Sequence, residues 1–76
     1  MLFQTEAMAI QSILSELRED GWRVAVHNDY MLNGELHTFW LFTFGNWCAK
    51  GEAKDDYTAL RIVRAEIARL KSGESQ

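Results

Sequence analysis

Hydrophobic residues near the start of the chain recur with the spacing of a helix. In steps of four and three, they are Phe3, Ala7, Ile10, Leu14 and Leu17, with Ile13 beside them. This spacing places them on one face of an amphipathic helix. Thr5 is a candidate N-cap, and Gly21 is a candidate residue for ending the helix. The pattern predicts a first helix from about residue 5 to residue 20.

After Gly21 the hydrophobic period changes from that of a helix to that of a strand. In the stretch WRVAVHND, Trp22, Val24 and Val26 alternate with Arg23, Ala25 and His27, which predicts a half-buried strand at about residues 22–30. Asn33-Gly34 is the signature of a type I′ hairpin turn, because both central positions of that turn require positive φ. A second strand is predicted at about residues 36–44, followed by a Gly45-Asn46 turn and a third strand at about residues 47–51.

A second amphipathic helix follows the third strand. Asp55 is a suitable N-cap, and the apolar stripe consists of Leu60, Val63, Ile67 and Leu70. We expect this helix at about residues 56–71, before a polar tail at residues 72–76. The predicted fold is therefore a single α+β domain over residues 1–76. Its order is α-β-β-β-α, in two layers, with both helices on one face of a three-stranded antiparallel meander.

The Asn33-Gly34 turn also predicts which side chains share a face of the sheet. A two-residue turn pairs Leu32 with Glu35, and residues that face each other across strands share a side. One face then contains the pairs Val26–Leu41, Val24–Thr43 and Asn28–Phe39, and we expect the helices to cover it. The opposite face contains the pairs His27–Trp40, Ala25–Phe42 and Arg23–Phe44, to which the second turn adds Phe44–Trp47 and Phe42–Ala49.

This second face is unusually aromatic, and we name it the aromatic face, consisting of Trp40, Phe42, Phe44 and Trp47. If both helices cover the other side, these side chains form an exposed patch of the kind that binds a partner. Arg23 and His27 lie beside them and complete the predicted partner-binding site. Three interpretations remain open: a core that one helix or a shifted strand covers, a symmetric dimer, or a surface for a different protein or a ligand.

Composition narrows the classes of function. The chain has 76 residues, a net charge of −3 and no apolar stretch long enough to cross a membrane. Its N-terminus has no signal-peptide pattern, and Cys48 has no second cysteine to pair with. We therefore expect a cytoplasmic protein, with Cys48 as a small buried hydrophobe. The acidic balance favours protein partners over nucleic acid.

No group of residues predicts catalysis or a bound cofactor. His27 and His37 fall on opposite faces of the predicted sheet, so they do not share a metal ion. Asp29, Glu35, Asp55 and Asp56 have the positions of turn and cap residues. We therefore predict no catalytic residues, no metal site and no cofactor, and a protein that is not an enzyme. His27, beside Trp40 and near Asp29, is a candidate pH-sensitive contact at an interface.

The order of helices and strands resembles the double-stranded RNA-binding domain, and this resemblance implies a nucleic-acid-binding module as the alternative function. Candidate contacts to phosphate are Lys50, Lys54, Arg61 and Arg64. The segment from residue 46 to residue 67 also resembles the end of HicB-type antitoxins. The chain's size and acidity are similar to those of small proteins of phages and mobile elements. The function we expect is a protein-interaction or regulatory domain that binds a second copy or another protein through the aromatic face.

Overall fold

The protein is an α+β fold with the element order that the sequence predicts. In a computed structural model, the described residues are 2–74, with side chains described from residue 6 to residue 73. The elements are α1 (Leu2–Glu19), β1 (Arg23–Leu32), β2 (Glu35–Phe44), β3 (Trp47–Ala53) and α2 (Asp56–Glu74). The three strands form one antiparallel meander in the order β1-β2-β3. The predicted tail is part of α2 as far as Glu74, and residues 75 and 76 lie outside the described residues.

Gly21 ends α1, as predicted. Its φ of 99° is in the left-handed region, its N–H donates to the carbonyl of Arg18, and the Trp22 N–H donates to the carbonyl of Leu17. This pair of bonds is a Schellman motif. The N-cap assignment of Thr5 is wrong, because α1 begins at Leu2 and Thr5 lies inside the helix. The side chain of Phe3, expected on the inner stripe, lies outside the described side chains.

Both hairpin turns occur where the sequence places them. Asn33 and Gly34 have φ values of 53° and 82°, as a type I′ turn requires. Gly45, with φ of 60°, begins a turn that pairs Phe44 with Trp47. Glycine is the residue that adopts such a conformation without steric cost. These turns set the register of the strand pairs next to them on both sides of β2.

Asp55 caps α2, and the helix buries the stripe expected of it. The backbone N–H of Thr58 donates to Asp55 Oδ1 over 2.7 Å, and the Thr58 hydroxyl donates to Asp55 Oδ2 over 3.1 Å. An aspartate in this position satisfies one of the free N–H groups of the first helical turn. Three of the stripe residues are buried and the fourth packs at the margin of the core; they are Leu60, Val63, Ile67 and Leu70.

The register of β1 on β2 follows the prediction only as far as Val26. Pairs from Leu32–Glu35 to Val26–Leu41 form as expected, but a β-bulge between Val24 and Val26 changes the register beyond them. The observed pairs there are Val24–Phe42 and Arg23–Thr43, so the predicted pairs Val24–Thr43, Ala25–Phe42 and Arg23–Phe44 are wrong. The extra residue in β1 places Val24 on the side of Phe42, while Val26 stays on the side of Leu41.

The helices cover the side of the sheet that was expected to be exposed. Trp40 and Phe42 are only 7% and 1% exposed. The other members of the same buried cluster are Ile13, Leu17, Trp22, Ala49, Ala59, Leu60, Val63 and Ile67. Because this cluster contains residues of both helices, the predicted exposure of Trp40 and Phe42 is wrong. We name this side the covered face and the side of Val26, Phe39 and Leu41 the open face.

The side chains of β3 explain why the helices lie on the covered face. Ala49, Gly51 and Ala53 are small and point towards α2, whereas Lys50 and Glu52 point to the open face. A Cβ atom placed on Gly51 would lie 2.2 Å from the carbonyl oxygen of Ala59 in α2. A helix can approach a strand this closely only over small side chains, and its approach to the other side would bury two charges. α2 therefore packs over β3 and β2, and α1 packs against α2.

Candidate functional site

Within residues 2–74, no helix lies over the open face, which combines an apolar middle with a polar rim. Val26 is 40% exposed, and Phe39 and Leu41 are half-buried. Tyr30 and His37 stack across β1 and β2 with ring centroids 5.7 Å apart. The Tyr30 hydroxyl is buried and has no hydrogen-bond partner among the described side chains. An apolar area of this kind on a sheet surface is a candidate interaction site.

Charged residues of both signs lie beside this apolar middle. Lys50 and Glu52 are consecutive outward residues of β3, opposite Leu41 and Phe39 of β2. Glu35, at the far end of β2, forms an ion pair with Lys54 over 3.2 Å. Cys48 is exposed near this rim, so the expectation that it is buried is wrong; its partner Thr43 faces the open side. The open face thus presents a positive and a negative charge side by side at one edge.

The six residues of the predicted partner-binding site do not form one surface. Trp40 and Phe42 are in the core, whereas Phe44 and Trp47 are 45% and 41% exposed at the end of the covered face. Phe44 also packs edge-to-face on the buried Trp22, with centroids 5.5 Å apart. Arg23 faces the open side through its pairing with Thr43, and His27 lies at the margin of the covered face.

A polar cluster occupies this margin, where α2 begins. His27 stacks on Trp40 as the strand pairing predicts, with centroids 3.7 Å apart and an interplanar angle of 15°. Trp40 Nε1 and the Thr38 hydroxyl each donate to Asp56 Oδ1 over 3.1 Å. The Nε2 atom of His27 lies 3.5 Å from Asp56 Oδ1 and 4.0 Å from Asp29 Oδ1. The cluster therefore joins β1, β2 and α2.

Sequence reasoning missed this cluster because Asp56 reaches it from a different element. Strand pairing places His27 beside Trp40, and Asp29 is two residues along the same strand. Nothing in the pairing of β1 and β2 places the first residue of α2 above them. A signal was nevertheless present, since Asp55 already supplies the cap and leaves Asp56 available for another contact.

The residues proposed for phosphate contact lie on β3, just after it and on α2, and three of them have intramolecular contacts. Lys54 pairs with Glu35, and Arg64 Nε lies 3.3 Å from Glu16 Oε1 of α1. The guanidinium of Arg61 lies over the ring of Tyr57, 5.6 Å from its centroid. Lys50, by contrast, is on the open face. Nucleic-acid binding by these residues stays a prediction.

The chain matches no protein-family model, and searches of curated proteins and of solved structures found no significant match. The structure confirms the α-β-β-β-α topology implied by the resemblance to double-stranded RNA-binding domains, and membership of that family is not shown. Among the described residues, no helix is long and apolar enough to cross a membrane.

Proposed function

We propose that this protein is a non-enzymatic interaction domain, that the open face is its binding surface, and that its partner is a second copy of the chain. The observation that supports this proposal is the sheet face that neither helix covers, with Val26, Phe39 and Leu41 at its centre. Two such faces pack against each other in a sandwich about 10 Å thick. Trp40 and Phe42, first expected on the binding surface, instead lie in the core on the opposite side of the sheet.

Charge complementarity favours a second copy over an unrelated partner. Consider a two-fold axis that lies in the interface, perpendicular to the strands, and passes between Leu41 and Phe39. This axis places β3 of one copy antiparallel to β3 of the second copy. Lys50 of each copy then faces Glu52 of its partner, which gives two such pairs. Opposite charges facing each other across an interface fix its register and disfavour other arrangements.

The size of the open face predicts a weak, reversible dimer. The three strands lie about 4.8 Å apart, and each residue adds about 3.4 Å along the seven residues of β3. The open face therefore has a flat area of roughly 14 by 24 Å. Two such areas come to roughly 700 Å² before the relief of the side chains is added, which is below the about 1,000 Å² of a stable interface and fits only weak association. We therefore expect the fraction of dimer to depend on protein concentration.

Two matched substitutions test this proposal. Val26 on the open face and Ile62 on α2 are 40% and 42% exposed, so Val26→Lys and Ile62→Lys remove similar apolar areas. Light scattering coupled to size exclusion should show that the wild type and Ile62→Lys dimerise as concentration rises, whereas Val26→Lys stays monomeric. Circular dichroism should show both variants folded.

A wild type that remains monomeric up to millimolar concentration would overturn the proposed dimer. Equal dimerisation of the wild type and a folded Val26→Lys variant would show that the interface lies on a surface other than the open face. Loss of association in Ile62→Lys alone would place the interface on α2.

A further inference from the structure

We propose that His27, Asp29 and Asp56 bind a divalent transition-metal ion such as Zn²⁺ at the margin of the covered face. One potential ligand atom from each residue lies within 4.8 Å of the other two. The ligands come from β1 and from the first residue of α2, which the fold holds together. This site is separate from the open face and does not rest on the proposed dimer.

One of the distances matches that between ligands of a single metal ion, and the others are longer but stay within 4.8 Å. With metal–nitrogen and metal–oxygen bonds of about 2.0–2.2 Å, two ligands of a tetrahedral site lie roughly 3.4 Å apart. The observed separation between His27 Nε2 and Asp56 Oδ1 is 3.5 Å, and that between His27 Nε2 and Asp29 Oδ1 is 4.0 Å. Asp29 is the most exposed of the three side chains, so its carboxylate is the one that would turn towards a bound ion.

The surroundings of the site hold two of the ligands in position. Trp40 Nε1 and the hydroxyl of the buried Thr38 both donate to Asp56 Oδ1, which orients the carboxylate and leaves its other oxygen, Oδ2, as the one that would bind the ion. The imidazole of His27 rests flat on the indole of Trp40. Such outer contacts orient the ligands of protein metal sites, whereas two isolated surface carboxylates rotate freely. The site is therefore more organised than a chance group of acidic residues.

The donor set also indicates the class of metal. An imidazole nitrogen suits zinc, copper, iron and nickel, whereas magnesium and calcium favour oxygen donors alone. Two carboxylates and a neutral imidazole carry a charge of −2, which balances a divalent cation. Three protein ligands leave one position of a tetrahedral ion for water or for a group from another molecule.

Calorimetric titration with ZnCl₂ tests the proposal, because it reports both stoichiometry and affinity. We expect one ion per chain in the wild type, and binding at least tenfold weaker in His27→Gln, Asp29→Asn and Asp56→Asn. Asparagine at position 56 keeps an oxygen acceptor for Trp40 and Thr38, so this variant separates ligation from folding. Thermal melting without metal should show that the variants remain folded.

Two control variants test whether zinc binds at a site other than His27, Asp29 and Asp56. His37→Gln removes the other histidine, which lies on the open face, and Cys48→Ser removes the exposed thiol. Both should bind zinc as the wild type does. Co²⁺ provides a second readout: because His27 stacks on Trp40, one equivalent should quench part of the tryptophan emission, and Asp29→Asn should need at least ten times more Co²⁺ for the same quenching.

The proposal is overturned if the wild type shows no saturable zinc binding at 100 μM metal. It is also overturned if folded His27→Gln binds as tightly as the wild type, or if affinity is lost in His37→Gln or Cys48→Ser instead. In those cases His27, Asp29 and Asp56 form an ion-pair cluster only.

Discussion

Phe42 and Phe44 lie two residues apart on β2 and point to the same side of the sheet, but only Phe42 lies beneath a helix. Phe42 is 1% exposed within the core cluster, and Phe44 is 45% exposed. We expect Phe42→Ala to lower the free energy of unfolding by about 3–5 kcal/mol, through lost burial and the cavity left behind. Phe44→Ala should cost about 1 kcal/mol, because half of its ring already contacts solvent.

Urea denaturation followed by circular dichroism measures both changes. The contrast separates a core role for these aromatic residues from a partner-binding role, which would leave stability nearly unchanged in both variants. Similar losses in the two variants would contradict the observed placement of Phe42 beneath the helices.

Single residues of β2 could not reveal which face the helices cover. Phe39 and Leu41 on one side and Trp40 and Phe42 on the other are all apolar, so alternation along the strand indicates two faces of similar hydrophobicity. The deciding residues are in β3. Charged Lys50 and Glu52 alternate with Ala49 and Gly51, and only the small residues allow a helix to pack closely.

At the scale of elements, the contact between β3 and α2 depends on Gly51. A Cβ atom there would meet the carbonyl of Ala59 at 2.2 Å and Val63 Cγ2 at 2.9 Å. Gly51→Ala should therefore force the helix away from the strand and cost about 1–3 kcal/mol of stability. Thermal or urea denaturation would measure the loss.

Gly73 provides the control for this substitution. It lies near the end of α2, and a Cβ atom there meets nothing within 4 Å. Gly73→Ala should leave stability unchanged or raise it slightly, since alanine favours helices more than glycine does. A Gly51→Ala variant as stable as Gly73→Ala would mean that α2 does not approach β3 as closely as observed.

Local signals were sufficient to predict the elements, whereas contacts between elements were not. The helix stop at Gly21, the turn at Asn33-Gly34 and the cap at Asp55 each depend on a few neighbouring residues, and all three are confirmed, whereas the cap predicted at Thr5 is wrong. The bulge near Ala25 and the contact of Asp56 with Trp40 depend on how β1 and α2 meet β2. No residue pattern within one element encodes such contacts.

At the scale of the whole molecule, the fold uses one face of a three-stranded sheet for its own core and leaves the other uncovered. Charge reversal on the open face tests the geometry of the proposed dimer. Lys50→Glu or Glu52→Lys alone would place like charges opposite each other and should weaken dimerisation. The double variant restores opposite charges and should recover it.

Analytical ultracentrifugation over a range of concentrations and at low ionic strength would measure these differences, because salt screens exposed charges. Dimerisation that both single reversals leave unchanged would exclude the two-fold arrangement, even if the open face itself is the interface. A double variant that fails to recover would do the same.

The bulge in β1 has a consequence for how this fold can vary in evolution. The hairpin turn at Asn33-Gly34 dictates which residues of β1 face the helices, and the end of α1 independently directs Trp22 into the core. With strict alternation back from His27, Trp22 would fall on the open face, and the extra residue at the bulge corrects this mismatch. The segment between α1 and the Asn33-Gly34 turn can therefore gain or lose one residue together with the bulge. The apolar pattern of α1 and that of the hairpin both stay the same.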